Sequence, residues 1–178
     1  MNSTPWHRQS IRLRAWDYSS TVAYFVTLCI QNRERPMFGE VKNGKMWLNN
    51  AGRLIHETWM ELPNRFPTIA LDAMVIMPNH LHGIVFIQKL QTVGIPTRDI
   101  PTLGHIIGAF KSITTVRYVA GVKQNGWPEF YRKIWHWNYY DSIIRHTDSL
   151  NRVRRYIELN PSKWDRDREN PLLKHRRG

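Results

Sequence analysis

The strongest constraint on the fold is a pair of apolar runs on either side of Pro78. The runs are ALDAMVIM, residues 70–77, and HLHGIVFIQ, residues 80–88. Their β-branched and large apolar side chains favour strands, while a proline followed by Asn79 is typical of a turn. The two runs therefore predict a β-hairpin, and their apolar character predicts that it lies in the centre of a sheet.

Six further segments have the pattern of strands or helices. Strands are predicted in TVAYFVTLCIQ (21–31), around Asn43-Gly44 in VKNGKMWLN (41–49) and in KIWHWNYYD (133–141), and helices over AGRLIHETWMEL (51–62), TLGHIIGAFKSITTVRYVAG (102–121) and SLNRVRRYIELN (149–160). Their order resembles a split βαβ arrangement. We therefore expect an α+β fold, in which helices pack on an antiparallel sheet.

The charge of the chain indicates a polyanionic partner. Its 178 residues include 26 Lys and Arg against 14 Asp and Glu, which gives a formal net charge of +12.

The length and composition of the chain indicate a folded protein. At about 100–200 residues per domain, a length of 178 residues predicts a single compact domain. The chain is 42% hydrophobic and has eight Trp, which excludes a disordered basic tail. The charge therefore belongs to a folded protein that attracts nucleic acids or acidic membranes.

The sequence favours nucleic acid over a membrane as that partner. No apolar run reaches the roughly 18–20 residues that a membrane span needs, and the first residues resemble neither a secretory signal nor a basic amphipathic helix. The one cysteine, Cys29, cannot form a disulfide within the chain or a CxxC metal site. We therefore expect a cytoplasmic protein in a reducing environment, without a membrane partner.

His80 and His82 are the candidate metal ligands. Side chains alternate along a strand, so both imidazoles point to one face while Leu81 points to the other. Two imidazoles at this spacing are able to share one metal ion. The spacing is also compatible with two polar residues on the solvated face of an edge strand, but the apolar strand and the adjoining turn favour a ligand site.

The last predicted helix carries a candidate nucleophile. Tyr156 and Asn160 lie four residues apart, on one flank of the apolar stripe formed by Leu150, Val153 and Ile157. From the edge of the core a phenol is able to reach a metal-bound phosphate, and an amide oxygen is able to reach the metal. The ordinary alternative is a boundary tyrosine with its hydroxyl in water, and an asparagine that ends the helix before a proline.

Five stretches of the sequence carry a resemblance to a known family. They are FVTLCIQNRERPMFG, MPNHLHGIV, AFKSITT, YYDSIIR and YIELNPSKW, which occur in this order within residues 22–165. Together they resemble the REP-associated tyrosine transposases, bacterial relatives of the single-tyrosine transposases in the HUH endonuclease superfamily. HLH alone is a weak signal, whereas MPNHLHGIV with a downstream YIxxNP is a strong one.

The resemblance implies a fold, a reaction and a role for each matching residue. The fold would be ferredoxin-like, the HUH endonuclease fold, with His80, His82 and Asn160 as metal ligands and Tyr156 as the nucleophile. Such enzymes use Mg²⁺ or Mn²⁺ to cleave single-stranded DNA near hairpins of repetitive extragenic palindromes, through a 5′-phosphotyrosine intermediate. Imidazoles favour softer ions than Mg²⁺, so we expect Mn²⁺ to be the better activator in vitro. The protein would act as a monomer or a homodimer.

The expected domain organisation has three parts. A basic N-terminal arm covers residues 1–20, the transposase domain covers 21–161, and a basic C-terminal tail, expected to be peripheral, covers 162–178. Six basic residues are the expected DNA contacts: Arg12, Arg14, Lys111, Arg152, Arg155 and Lys163.

Two other functions are compatible with the sequence. A non-catalytic, domesticated protein that binds DNA hairpins would keep the fold and the basic surface, but it would be free to lose the histidines and Tyr156. A metal-dependent hydrolase that uses water would need a carboxylate near the histidines. Asp72 and Asp141 are the only acidic residues near the predicted active-site strands, which counts against the hydrolase.

The basic surface predicts a steep salt dependence of DNA binding. Phosphate contacts release counterions, so affinity for single-stranded DNA is expected to fall by at least about tenfold between roughly 50 and 200 mM salt. Fluorescence anisotropy with a labelled oligonucleotide measures this change. A flat response would contradict a DNA-binding role for the basic surface.

Overall fold

The computed structural model describes residues 21–88 and 100–174. The expected N-terminal arm, with Arg12 and Arg14, lies outside the described residues. Within the described ranges no helix is both long enough and apolar enough to cross a membrane.

Strands and helices follow one another in the order that the sequence predicts. The elements are β1 (Thr21–Cys29), β2 (Gly39–Lys42), β3 (Lys45–Leu48), α1 (Asn50–Met60), α2 (Leu62–Arg65), β4 (Ile69–Ile76), β5 (His80–Gln88), α3 (Leu103–Asn125), β6 (Tyr140–Ile144), α4 (Thr147–Leu159), a 3₁₀ helix (Pro161–Arg166) and α5 (Pro171–Lys174). Two helices begin with a side-chain N-cap. Asn49 Oδ1 accepts from the amide of Gly52 at 2.8 Å, and Thr102 Oγ1 accepts from the amide of His105 at 3.2 Å.

Four strands form the main sheet, in the spatial order β4-β5-β1-β6 with every neighbouring pair antiparallel. β2 and β3 pair separately around Asn43 and Gly44, whose φ angles of 52° and 68° are those of a tight hairpin turn. The expected α+β class and antiparallel sheet are confirmed. β5 lies between β4 and β1, so the two histidines of this strand are in the centre of the sheet and not at an edge.

The sheet has an apolar core on each face because side chains of its buried strands alternate. Leu81 and Val85 of β5 join the first core, where α1 and α3 pack. Ile84 and Phe86 join the second core, which α4 covers with Ile157. His80 and His82 share the register of Ile84 and Phe86, so they face α4.

An ion pair fixes α4 to the sheet. The β4 pairing with β5 shifts by one residue between Leu71 and Met74, which is a β-bulge. At this bulge Asp72 accepts from Nε of Arg154 at 2.8 Å through Oδ1 and from Nη2 at 2.6 Å through Oδ2. Both side chains are largely buried, with 6% and 14% exposed. The pair therefore holds the backbone of α4 two residues from Tyr156.

The last strand starts later than predicted. The segment KIWHWNYYD was expected to be a strand, but β6 begins at Tyr140, and Trp135 makes only an isolated bridge to Ile30. The reason is that the carbonyl oxygens of residues 136–138 have another partner, although the amide of His136 still donates to the carbonyl of Cys29. Lys111 Nζ donates to the carbonyl oxygens of these three residues at 2.8, 3.4 and 2.9 Å, in chain order. Those acceptors are therefore turned towards α3.

Gly83 gives a test of the packing of the first core. A Cβ at this position would lie 2.5 Å from Cζ2 of Trp59, which is closer than side-chain atoms approach one another. Gly83→Ala is therefore expected to lower the free energy of unfolding by about 1–3 kcal/mol, measured by urea denaturation.

The matched control is Gly108→Ala on α3, where nothing lies within 4 Å of the added Cβ. It is expected to raise stability by about 0.5–1 kcal/mol, because alanine loses less backbone entropy in a helix. Equal effects of the two substitutions would contradict the described packing.

Candidate metal and nucleophile site

His80 and His82 form a buried pair. They are 0% and 5% exposed, and their Nε2 atoms lie 3.1 Å apart. The antiparallel register with β1 places His82 opposite Thr27 and His80 opposite Cys29. The predicted placement of both imidazoles on one strand face is therefore present.

Asn79 determines which nitrogen of His80 carries hydrogen. Nδ2 of Asn79 donates to the carbonyl oxygens of Arg33 and Glu169, so the side-chain oxygen Oδ1 is an acceptor. Nδ1 of His80 lies 2.9 Å from this oxygen and must donate to it. In neutral His80 the lone pair is then on Nε2, which faces His82.

The hydrogen bond between Thr27 and His82 is compatible with either neutral tautomer of the His82 ring. Oγ1 of Thr27 lies 2.7 Å from Nδ1 of His82, and a hydroxyl both donates and accepts. If Nδ1 of His82 accepts, Nε2 carries hydrogen and donates to His80. If Nδ1 of His82 donates, the Nε2 atoms of His80 and His82 both carry lone pairs that face each other. A cation between them would stabilise this arrangement.

Burial keeps both imidazoles neutral. It lowers the pKa of His80 to about 3, and the nearby Arg33 acts in the same direction. It also holds the pKa of His82 well below the usual value; His80 lowers this pKa further, whereas Asp167 opposes the shift. Neutral imidazole is the form that binds a metal, so at pH 7 the pair does not have to lose a proton from a charged ring first.

Asp167 is a site residue that the sequence reasoning missed. One of its carboxylate oxygens and the ligand nitrogens of His80 and His82 all lie within 4.8 Å of one another. The 3₁₀ helix after α4 turns the chain back over the sheet, with Trp164 against His80 at 6.0 Å between ring centroids. This segment, expected to be peripheral, therefore contributes to the site. Pro161, two residues after the end of α4, was the available signal that the chain turns there.

Asn160 lies beside this carboxylate. It is 2% exposed, and its Nδ2 is 3.4 Å from Oδ2 of Asp167. Its Oδ1 is buried and has no hydrogen-bond partner among the described residues. A buried acceptor without a donor is costly, and a cation would satisfy it. Two imidazole nitrogens, a carboxylate and an amide oxygen are together a donor set that fits a divalent ion.

Tyr156 presents its hydroxyl to the histidine pair. The oxygen is 3.3 Å from Nε2 of His82, and the ring contacts that of Phe25 edge-on at 5.9 Å between centroids. The residue is 44% exposed, so a ligand is able to reach it from solvent. Burial raises the pKa of the phenol and Asp167 raises it further, whereas the hydrogen bond from Asn160 opposes the shift. The free protein therefore holds Tyr156 protonated at neutral pH.

The expected DNA contacts divide into two groups. Arg152, Arg155 and Lys163 are exposed, and Arg152 Nη2 donates to Oγ of Ser149 at 2.8 Å. They stay candidates for phosphate contacts. Lys111 is different, because its ammonium group donates to three backbone carbonyls that a phosphate would have to displace.

Two acidic residues considered from sequence lie outside this cluster. Asp72 binds Arg154, and Asp141 is exposed on β6, which pairs with β1 on the side away from β5. Asp167 supplies the carboxylate that the sequence reasoning did not find. The carboxylate that the hydrolase alternative needs near the histidines is therefore present.

Comparisons with known proteins find similar chains, among them a relative and two solved structures. An uncharacterized protein of Haemophilus influenzae is 35% identical over 173 residues, which cover 90% of this chain and 92% of that protein. A REP-associated tyrosine transposase bound to a REP hairpin superposes with a TM-score of 0.56 at 16% identity, over 92% of this chain and 74% of that chain. A candidate transposase from Deinococcus radiodurans gives 0.46 at 14% identity, over 83% and 95%. No protein-family model matches the chain.

The donor set predicts which substitutions weaken metal binding. His80→Ala and Asp167→Asn are each expected to lower the affinity for Mn²⁺ by about tenfold or more, because the first removes a ligand nitrogen and the second removes the negative charge of the carboxylate. Isothermal titration calorimetry measures this affinity. Asp141→Asn, on the exposed face of β6, is the matched control and is expected to bind Mn²⁺ like the parent protein. If Asp167→Asn also binds like the parent, Asp167 is not a ligand.

Proposed function

This chain belongs to one family with the Haemophilus influenzae protein and has the fold of a REP-associated tyrosine transposase, and from that premise we propose that it cuts and rejoins single-stranded DNA. The observation that carries the proposal is the position of the Tyr156 hydroxyl, 3.3 Å from Nε2 of a buried histidine pair. A nucleophile next to a candidate cation site is what cleavage of a phosphodiester requires.

Four residues would hold the metal, which we propose to be Mg²⁺ or Mn²⁺. His80 and His82 supply nitrogen ligands, while Asp167 and Asn160 supply oxygen ligands. When bound, a divalent ion would polarise the scissile phosphate and offset its negative charge. Asn79 orients the His80 ring and Thr27 orients the His82 ring, in each case through a hydrogen bond to Nδ1 of the histidine.

Tyr156 would carry the covalent step. Its phenolic oxygen attacks phosphorus and loses its proton, while the bond from phosphorus to the 3′ oxygen breaks and that oxygen takes up a proton. The products are a 5′-phosphotyrosine and a free 3′-hydroxyl. Because the new bond is also a phosphodiester, the reverse attack by a 3′-hydroxyl rejoins DNA without an added energy source.

The basic residues around the site would hold the DNA. Arg152 and Arg155 are exposed on α4, the helix that carries Tyr156, and Lys163 follows on the 3₁₀ helix. The net charge of +12 adds attraction over a longer range. The structural neighbour is bound to a REP hairpin, and we propose a hairpin with a single-stranded flank as the substrate here too.

The proposed domain organisation has three parts. We propose that residues 21–161 form the transposase domain, with the arm over 1–20 and the tail over 162–178 as DNA-binding extensions. Asp167 and Trp164 connect the tail to the metal site.

The covalent intermediate is the direct test. Incubation with Mn²⁺ and a 3′-labelled hairpin oligonucleotide is expected to give a labelled protein–DNA adduct on a denaturing gel, joined through the 5′ phosphate of the DNA. A 5′-labelled oligonucleotide is expected to give a shortened labelled strand that is not joined to the protein. Tyr156→Phe removes the nucleophile and is expected to abolish the adduct. Tyr24→Phe is the matched control, because Tyr24 packs against the first core on the other face of the sheet.

Two experimental outcomes would contradict this proposal and support a different function. DNA binding without any adduct in Mg²⁺ or Mn²⁺ would identify a non-catalytic hairpin-binding protein. Cleavage that persists in Tyr156→Phe but is lost in His80→Ala would identify a hydrolase that uses water.

A further inference from the structure

Two aromatic rings project from one short segment of the surface. Tyr131 is 79% exposed and Trp137 is 75% exposed, and they lie at the two ends of the segment 131–137. Rings of this size are normally covered, and exposed aromatic rings in a polar surrounding are typical of binding sites. Neither residue has a role in the site described above.

The protein holds this segment in place. Ile134 and Trp135 are buried, and the carbonyl of Ile134 accepts from the amide of Gln31 at 2.6 Å. Trp135 Nε1 donates to Oγ1 of Thr114 at 2.8 Å, while Lys111 binds the carbonyls of residues 136–138. The two exposed rings therefore extend from an anchored backbone.

Arg132 has an unusual backbone conformation. Its φ of 60° lies in the left-handed region, which is unfavourable for a residue with a Cβ. In this conformation its guanidinium lies 5.1 Å from the centroid of the Tyr131 ring. A ring and a cation are thus presented together, as they are in sites that bind the bases and phosphates of single strands.

Two open clefts flank the segment and meet at Lys133 and Ile134, which line both. The first, of about 490 Å³, includes Tyr131, and the second, of about 330 Å³, includes Trp137. The clefts therefore adjoin one another along the segment, and the two together are called the path.

The charge of this path suits a polyanion. Arg132 and Lys133 form no ion pair within 21–88 and 100–174. Arg35, in the first cleft, donates to the carbonyl of Glu129 and brings a further positive charge. Glu34 is the only acidic residue among the described residues that line the two clefts.

The path begins beside the metal and nucleophile site. Arg33 lines the first cleft, and its carbonyl accepts from Nδ2 of Asn79, the residue that orients His80. Its guanidinium binds Glu169, two residues from Asp167. A strand that leaves the site past Arg33 would therefore enter the cleft of Tyr131 before that of Trp137.

We propose that the segment 131–137 binds unpaired nucleotides of the DNA strand that occupies the site. Bases stack on Tyr131 and Trp137, and Arg132 and Lys133 contact the phosphates between them. Stacking requires bases that are not paired, so the surface selects single strands over duplex DNA. This inference rests on the proposed function for the identity of the ligand as DNA, but it does not need the tyrosine step.

The test is a binding measurement in the Tyr156→Phe background, which prevents adduct formation. The probe is a labelled oligothymidylate of about 12 nucleotides, within the range of single-strand binding sites. Trp137→Ala and Tyr131→Ala are each expected to raise Kd by about five- to tenfold, the loss of one base stack. Trp137→Phe keeps a ring and is expected to restore binding to within about twofold of the parent.

Controls separate stacking from general effects. Trp47→Ala, at a partly exposed tryptophan on β3, is expected to leave Kd unchanged. A blunt duplex is expected to bind Trp137→Ala and the parent equally. The proposal is overturned if both alanine variants bind the oligonucleotide like the parent, or if duplex affinity falls as much as single-strand affinity.

Failure of the stacking proposal and failure of the proposed function give different results in these experiments. If the Trp137→Ala effect is present but the parent never forms an adduct, the surface binds single strands in a protein that does not transfer them. If the parent forms the adduct and both alanine variants bind normally, the transposase proposal stands and this surface is not its single-strand contact.

Discussion

The side-chain amide of Asn79 makes the contacts on which the site depends. Its Nδ2 donates to the carbonyls of Arg33 and Glu169, and its Oδ1 accepts from Nδ1 of His80. One buried side chain therefore joins the turn between β4 and β5 to the segment after β1 and to the C-terminal segment. Since Asn79 is 1% exposed, losing one of these bonds would leave a buried polar atom of its amide without a partner. The amide thus orients the His80 ring and also brings the chain that carries Asp167 over the sheet.

The nucleophile depends on a different anchor. Ile157 is the only fully buried residue of α4, so this helix has a small apolar contact with the sheet. The ion pair between Arg154 and Asp72 adds a polar contact at a bulge of β4. These two contacts fix the backbone of α4 to the sheet next to Tyr156, while the Tyr156 side chain stays about half exposed and accessible to substrate. The helix is thereby fixed without covering the site.

Residues close together in the chain were predictable. Alternation along β5 placed His80 and His82 on one face, and the helical period placed Tyr156 and Asn160 on one flank of α4. Both statements depend only on local backbone geometry, which apolar pattern and turn residues determine. The late start of β6 was not predictable in this way, because the backbone of residues 136–138 is held by Lys111 from a separate helix.

The sequence by itself determined the order of strands and helices, the central hairpin, the paired histidines and the charge that favours DNA. Only the tertiary structure decided that Asp167 belongs to the site, and that Arg154 rather than Arg152 is tied to the sheet. It also decided that Asn160 keeps a buried oxygen without a partner in the part of the chain that the structure describes. The physical reason is the range of the interactions. Periodicity reports which face a side chain occupies, whereas the carboxylate and the ion pair depend on which segments the folded chain brings into contact.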